Sequence, residues 1–229
     1  MNSQAFRAPV AELVGTALFV FFGAGSIVAN AGGVPLGPLG IALAHGVGIA
    51  VLISMTMAIS GGHLNPAVSL GLWIANKIDG RRLGYYVAAQ LIGAIIGALL
   101  VKAFFPSGAA RVTSLGTPQI SGALGLFQAI SLEALFTFFL VSAVFGTAVS
   151  PLAPKIAGFG IGLSIFTCAL VGGSLTGGVM NPARAFGPAL VSLDWHGQVV
   201  YWIGPAFGAV AAAVLWKYVL LPRDATDLA

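Results

Sequence analysis

Residues 60–67 have the sequence SGGHLNPA and residues 176–183 have the sequence TGGVMNPA, so one pattern occurs twice in the chain. The two copies are 116 positions apart. Each copy ends in Asn-Pro-Ala and opens a short apolar segment, Pro66–Ala75 or Pro182–Ser192. At ~1.5 Å per residue, a helix of that length reaches only about halfway through a bilayer. The pattern therefore predicts two half-helices.

The Asn-Pro pair predicts how each half-helix begins. Proline suits the first position of a helix, because it lacks an N–H and has a fixed φ, and it pushes the residue before it into an extended conformation. Asparagine there can cap the first turn through its amide oxygen and still present its NH₂ donors. We therefore expect the two motifs to meet as a pore constriction formed by Asn65, Pro66, Ala67, Asn181, Pro182 and Ala183.

The glycines before each motif predict an extended backbone whose carbonyl groups face a cavity. Irregular backbone is tolerated at membrane depth only where it faces water or protein. The predicted pore-lining carbonyls belong to Gly61, Gly62, His63, Leu64, Gly177, Val179 and Met180. Each half-helix N-terminus carries about half a positive charge, so two of them at the midplane are expected to repel protons and cations.

Composition indicates that lipid is the solvent of this chain. Of 229 residues, 58% are hydrophobic and 7% are charged, whereas soluble domains have about 25% charged residues. The basic residues form no stripe, so no nucleic acid partner is expected. The three histidines and one cysteine lack metal-ligand spacing, and no set of catalytic residues converges on the half-helices. Neither a cofactor nor an enzymatic activity is expected.

Hydrophobic runs predict an all-α membrane protein with six transmembrane helices and two re-entrant half-helices. The predicted spans are Val10–Ala29, Pro38–Ile59, Leu83–Phe104, Ala123–Val149, Ile156–Ser174 and Val199–Leu221. We expect residues 1–229 to be one channel domain, with repeat halves at about 8–104 and 123–221 and an outer loop at 105–122. Three spans per half is an odd number, so the second half must enter the membrane from the opposite side. This is an inverted repeat.

Two further matches support the repeat. Tyr85-Tyr86 at the start of the third span is matched with Tyr201-Trp202 at the same offset of 116. Glu12 and Glu133 are matched at an offset of 121. Acids inside a membrane usually indicate a functional site or a proton relay, which would suit a secondary transporter. Their matched positions favour another role, in which both support the half-helices by hydrogen-bonding the re-entrant loops.

The distribution of Lys and Arg predicts the orientation. Seven basic residues fall on the side that carries both termini: Arg7, Lys77, Arg81, Arg82, Lys155, Lys217 and Arg223. Two fall in the predicted outer loops, Lys102 and Arg111. The excess places both termini in the cytoplasm. The loop Pro106–Ser121 has no strong structural signal and is a candidate cover for the outer mouth.

Arg184 distinguishes the second motif from the first, where Val68 occupies the same place. A guanidinium in a membrane segment costs about 2.5–3.5 kcal/mol on insertion scales, so it should face a wet cavity or a partner. We expect Arg184 to line the outer mouth, with a snorkelling interfacial arginine as the alternative. Gly93 and Gly97 predict close helix packing, and Cys168 is expected to be a buried, inert thiol.

Two Asn-Pro-Ala motifs in an inverted six-span repeat, the second extended to Asn-Pro-Ala-Arg, resemble the major intrinsic protein (aquaporin) family. The resemblance covers nearly the whole chain. It implies a passive, multi-pass channel for water that excludes protons and ions, with one pore per subunit of a homotetramer. We expect it in the cell (inner) membrane. Ion conduction within the same fold, a transporter and an enzyme are the alternatives.

The resemblance also implies a four-residue outer filter formed by His45, Ala169, Gly178 and Arg184. This set is similar to plant tonoplast-type channels, several of which pass ammonia, urea or peroxide, and glycerol is a further candidate. Glycerol channels of the family usually have Asp after the motif arginine and a basic residue four positions on, where this chain has Ala185 and Ala189. The family pattern therefore combines a water-channel frame with a roomy filter. For His45, a core histidine packed between spans is the alternative.

Overall fold

The computed structural model describes residues 4–222, so Arg223, which the charge argument assigns to the cytoplasmic side, lies outside the described residues. All regular structure in the described part is helical. The α-helices are α1 Gln4–Ala31, α2 Gly37–Ser60, α3 Pro66–Ile74, α4 Gly80–Phe104, α5 Ser107–Val112, α6 Leu126–Val144, α7 Ala157–Gly172, α8 Pro182–Ser192 and α9 Val200–Leu215. π-Helical turns, Phe145–Val149 and Trp216–Leu220, extend α6 and α9.

Five of the described helices are long and apolar enough to cross a membrane, namely α1, α2, α4, and α6 and α9 with their π turns. The fifth predicted span, Ile156–Ser174, is also helical, but its helix α7 has only 16 residues. A run of turn residues follows it up to the second motif, so the helix ends before the predicted boundary at Ser174. Helices α3 and α8 begin at the two motif prolines, as predicted.

The two halves of the chain are packed crosswise. Within each half, the first span packs against the third, α1 against α4 and α6 against α9. Each half-helix packs against the third span of the other half, α3 against α9 and α8 against α4, and α2 packs against α7. Because the half-helices are exchanged in this way, residues from both halves meet at the centre.

Close helix packing depends on glycine where α1 meets α4. A β-carbon built on Gly93 would collide with the carbonyl oxygen of Leu13, and one built on Gly208 in α9 would collide with that of Ala134 in α6. These backbones approach each other because both positions lack a side chain. The predicted packing role of Gly93 is confirmed.

The hydrogen bonds of Tyr86 and Tyr201 correct the predicted alignment between the two halves of the chain. Tyr86 donates to the carbonyl of Ser60 (2.7 Å), and Tyr201 donates to the carbonyl of Thr176 (2.8 Å). Tyr86 is therefore the mate of Tyr201, whereas Tyr85 is 60% exposed. The predicted match of Tyr85-Tyr86 with Tyr201-Trp202 is wrong by one position, because the segment from each motif to the next span is one residue shorter in the second half.

The segment between the halves has more structure than its sequence indicates. It contains α5 and a 3₁₀ turn at Ser114–Gly116. Ala109, Ala110 and Leu115 are buried in a cluster with residues of α1 and α4. Small and apolar side chains here cover the ends of those helices, and this burial fixes a segment whose short helical run has little stability of its own.

Candidate functional site

The two motif asparagines cap the half-helices. Asn65 Oδ1 accepts from the backbone N–H of Ala67 (2.8 Å), and Asn181 Oδ1 accepts from Ala183 (3.1 Å) and Arg184 (3.2 Å). Both asparagines have an extended backbone conformation, as a helix cap requires. The predicted capping is confirmed for both half-helices.

The same two side chains also join the halves to each other. Asn65 Nδ2 donates to the carbonyl of Met180 (2.9 Å), and Asn181 Nδ2 donates to the carbonyl of Leu64 (2.9 Å). These carbonyls belong to the residues just before the opposite asparagines, and both are among the predicted pore-lining set. An amide NH₂ has two hydrogens, so each asparagine retains a second N–H beyond this bond.

Glu12 and Glu133 hold the re-entrant loops, and neither side chain is exposed. Glu12 accepts from Ser60 Oγ (2.6 Å) and from the backbone N–H groups of His63 (2.9 Å) and Leu64 (2.6 Å). Glu133 accepts in the same way from three groups, Thr176 Oγ1 (2.6 Å) and the backbone N–H groups of Val179 (2.9 Å) and Met180 (2.7 Å). The hydrogen bonds predicted for these two acids are present in both halves.

One polar network exists in the first half and has no repeat counterpart. Gln90 Nε2 donates to Glu12 Oε2 (2.8 Å) and to Ser69 Oγ (3.0 Å), and Ser69 Oγ lies 3.0 Å from His63 Nδ1. The position of Ser69 is Ala185 in the second half. Gln90 and Ser69 are not among the residues predicted from the sequence. The signal that could have identified Gln90 is a glutamine inside a predicted apolar span, and its side chain is fully buried in the structure.

A cavity of about 400 Å³ runs from one end of the helix bundle to the asparagine pair. Lys77 and Arg82 line its mouth, on the side predicted to be cytoplasmic, and Asn65 and Asn181 line its inner end. Its lining combines Gly61, Gly62 and His63 of the first re-entrant loop with apolar residues, Ile49, Ile53, Val68, Leu140, Ile161 and Ile165. Of the predicted carbonyl residues, Gly61, Gly62 and His63 line this cavity.

A second cavity of about 640 Å³ opens at the opposite end. It is lined by three of the four predicted filter residues, His45, Ala169 and Arg184, and by residues 117–121 of the outer loop. Gly177 lines it too, whereas Val179 is buried in a cluster with Val200 and Tyr201. Three of the four predicted filter residues therefore border the outer cavity, and Gly178 is not among its lining residues.

Arg184 is held at both ends of its guanidinium. Nη1 donates to the carbonyl of Gly116 (3.0 Å), and Nη2 lies 3.3 Å from His45 Nε2. The side chain is only 3% exposed to solvent, and it borders the outer cavity. The snorkelling alternative does not fit a guanidinium enclosed in this way. Gly116, like Gln90 and Ser69, is not among the residues predicted from the sequence.

The hydrogen bonds of His45 identify the tautomer of its ring. Nδ1 lies 2.9 Å from the carbonyl of Ile41, which can only accept, so Nδ1 carries the hydrogen. Nε2 then accepts from Arg184, since a guanidinium can only donate. A second proton on the ring would point an N–H at the guanidinium. His45 is therefore a neutral support for Arg184, and both its nitrogens are occupied.

Ala169 and Gly178, the two small residues of the predicted filter, have different surroundings. Ala169 contributes a methyl group to the wall of the outer cavity. Gly178 has a φ of +57°, and a β-carbon built there would lie 2.5 Å from the carbonyl oxygen of Cys168. Gly178 is therefore required by the loop conformation and by its close approach to α7, so its size does not measure the width of the filter. Cys168 is buried, as predicted.

The outer loop that carries Gly116 is tied to the end of the second half-helix. Asp194 Oδ2 accepts from Gln119 Nε2 (3.0 Å), and Asp194 Oδ1 accepts from the backbone N–H of His196 (3.2 Å). A hydrogen bond from the Ser114 hydroxyl, followed by those from His196 and Gln119, holds the pKa of Asp194 below its ordinary value. Ser114 and Gln119, which both bind Asp194, lie on either side of Gly116 in the sequence.

Two cavities that enter an apolar helical bundle from opposite ends and approach a pair of capped half-helices define a membrane channel. The family model of the major intrinsic proteins matches residues 1–216. The chain belongs to this family, whose members are channels and not enzymes.

Several relatives are similar to the chain over nearly its full length. A probable aquaporin TIP2-2 of Oryza sativa subsp. japonica is 39% identical, with 100% of this chain and 93% of the relative covered. Aquaporin TIP4-4 of Zea mays is 40% identical, with 96% and 92% covered. The X-ray structure of the aquaglyceroporin from Plasmodium falciparum matches with a TM-score of 0.84 at 26% identity, over 99% of this chain and 100% of that one.

Proposed function

We propose that this protein is a passive channel for water and for small neutral solutes, namely ammonia, urea and peroxide, with glycerol as a further candidate. The observation that carries the proposal is the wall of the outer cavity at the predicted filter. There Ala169 presents only a methyl group in the cavity that His45 and Arg184 also line. A bulky residue at this position would narrow the opening. The solved relative titled an aquaglyceroporin supports a filter that admits more than water.

The composition of the inner cavity supports rapid water movement. Its lining includes Gly61, Gly62 and His63, whose backbone groups would hydrogen-bond to water, and apolar side chains such as those of Ile49 and Leu140, which would not. The remaining N–H of each asparagine would orient a water molecule at the constriction. The two half-helix N-termini and Arg184 would repel protons and cations.

The acids that a secondary transporter would use are already occupied. The carboxylate oxygens of Glu12 and Glu133 accept hydrogen bonds from their own loops, and both side chains are inaccessible to solvent. This favours a channel over a transporter driven by an ion gradient. We further propose that both termini are cytoplasmic in the cell (inner) membrane and that the chain forms homotetramers with one pore per subunit.

Stopped-flow light scattering on proteoliposomes tests the solute range. With water, ammonia and urea gradients in turn, we expect permeabilities above those of bare liposomes for all three. Ala169→His should reduce urea permeability by about tenfold or more, which corresponds to ~1.4 kcal/mol of added barrier, and should largely retain water flow. Gly178 is left unchanged, because a side chain there would collide with α7.

Thr167→His is the matched control, since it adds the same ring to an exposed position of the same helix. It should leave the ratio of urea to water permeability unchanged. If the unmodified protein carries water but neither ammonia nor urea above the liposome rate, the proposal of a wide filter is wrong.

A further inference from the structure

Gly23 lies on α1 directly against the ring of His45. A β-carbon built at Gly23 would be 2.8 Å from both Cδ2 and Nε2 of His45, and 3.4 Å from Cε1. Distances below 3.0 Å essentially never occur for real β-carbons, so one of the two groups would have to move. The imidazole therefore occupies space that exists only because residue 23 is glycine.

The His45 ring is restrained in most other directions. Nδ1 donates to the Ile41 carbonyl, and Nε2 accepts from Arg184. Phe19 packs edge-on against it, with ring centroids 6.0 Å apart at 86°. The open side of His45 faces the outer cavity. A group that pushes the ring away from α1 would therefore push it toward the guanidinium and the opening.

The next residue of α1 supports the other partner of Arg184. Gly116 has a φ of +75°, and a β-carbon built there would lie 2.7 Å from the Ala24 carbonyl oxygen and 2.9 Å from its Cα. The Gly116 carbonyl accepts from Arg184 Nη1. Consecutive residues of one helix, Gly23 and Ala24, thus contact the two groups that hold the filter arginine.

We propose that Gly23 determines the specificity of the channel by positioning His45. Because it has no side chain, the imidazole lies back against α1, and the opening beside Arg184 keeps its width for neutral solutes wider than water, such as urea. Gly23 is outside the four filter positions and acts through one of them. The proposal rests on the proposed function, since it assigns the width of the same filter.

The test is Gly23→Ala in proteoliposomes, with urea and water permeability measured on the same vesicles. We expect the ratio of urea to water permeability to fall by about tenfold, equivalent to ~1.4 kcal/mol. Gly25→Ala is the matched control on the same helix, because the nearest neighbours of its β-carbon would be the ring end of Phe105, at 2.9 Å from Cζ, and Val101, at 3.8 Å from Cγ2, and not His45. The control should leave the ratio unchanged. An unchanged ratio in folded Gly23→Ala would overturn the proposal.

A double-mutant cycle separates this mechanism from a general loss of structure. If the β-carbon acts through the imidazole, Gly23→Ala should have no effect on the ratio when His45→Ala has removed the ring. If Gly23→Ala alone does not fold, folding should be recovered in the Gly23→Ala/His45→Ala protein. A persistent effect on the ratio, or persistent misfolding, in the double variant would show that the β-carbon acts elsewhere and would contradict the proposal.

The two proposals fail differently. If the unmodified protein carries water but no urea, the proposal of a wide filter is wrong, and the effect of Gly23→Ala is then measured as water permeability alone. Gly23→Ala should lower the water permeability by narrowing the opening, whereas Gly25→Ala should leave it unchanged. Equal water permeability in the two glycine variants would then reject the role of Gly23.

Discussion

Arg184 combines a permanent charge with almost complete enclosure. Its two described hydrogen bonds go to neutral partners, the Gly116 carbonyl and the His45 imidazole, so these contacts orient the charge without neutralising it. At an effective dielectric constant of about 20, a unit charge contributes ~4 kcal/mol at 4 Å. A cation at the filter would therefore meet a substantial barrier from this residue alone.

Replacing the arginine tests this barrier. Arg184→Val introduces the residue of the repeat mate and should raise cation or proton leak by about tenfold or more, as expected for the loss of an interaction of several kcal/mol. Water flow should remain near normal. Leak is measured with a pH-sensitive dye inside proteoliposomes. Arg111→Val removes the same charge from the exposed outer loop and should not alter the leak. If vesicles that contain folded Arg184→Val protein show no increase in cation or proton leak, the role of Arg184 is structural.

Hydrogen bonds between residues that are close in sequence could be predicted from the sequence, and those that depend on the fold could not. The caps of Asn65 and Asn181 follow from the Asn-Pro pair itself. Their bonds to the opposite loops join residues more than a hundred positions apart, and no local pattern specifies these bonds. The same holds for the contact between His45 and Arg184, which depends on how α2 and α8 are placed.

At the scale of elements, the close approach of α1 and α4 requires a glycine at position 93. Gly93→Ala should lower the unfolding temperature in detergent, because the added methyl collides with the Leu13 carbonyl and overpacking costs about 1–3 kcal/mol. Gly84→Ala lies on the same helix with nothing within 4 Å of the added β-carbon. It should be neutral or stabilising by up to ~1 kcal/mol, since alanine favours helix. Equal melting temperatures for the two variants would contradict the packing role.

The outer loop is a second element whose stability can be tested. The folded pKa of Asp194 lies below its ordinary value of 3.8, first because of the Ser114 hydroxyl. A depressed pKa contributes stability that is present above the unfolded value and is lost as the pH falls through the folded value. Asp194→Asn should therefore melt below the unmodified protein at pH 7. The gap should close as the pH is lowered below about 4. A gap that persists at low pH would exclude the charge as its cause.

For the whole molecule, hydrophobic length and repeat symmetry predicted the helix order and the two half-helices. The register error at Tyr85 arose because a single-residue difference in loop length leaves an apolar pattern nearly unchanged. The short helix α5 was not predicted, since the burial of Ala109, Ala110 and Leu115 against α1 and α4 is a tertiary effect. Sequence patterns specify which face is apolar better than they specify what covers it.

The predicted orientation can be tested on the intact chain. Its one cysteine, Cys168, is buried and should not react with a membrane-impermeant maleimide. Gly122→Cys places a thiol in the predicted outer loop, and Leu152→Cys places one in a predicted cytoplasmic loop, both at exposed positions. On intact cells the first should be labelled, and the second should be labelled only after permeabilisation. The reverse pattern would invert the proposed topology.

The reciprocal bonds at the asparagine pair have the form of a two-fold symmetric dimer contact. Asn65 donates to the loop that ends in Asn181, and Asn181 donates to the loop that ends in Asn65. Isologous contacts of this kind arise when two identical subunits meet face to face. The centre of this protein is therefore compatible with an ancestor of half its length that paired with an inverted copy of itself. Ser69 and Gln90, which have no counterparts in the second half, mark where the two copies have diverged since they were joined.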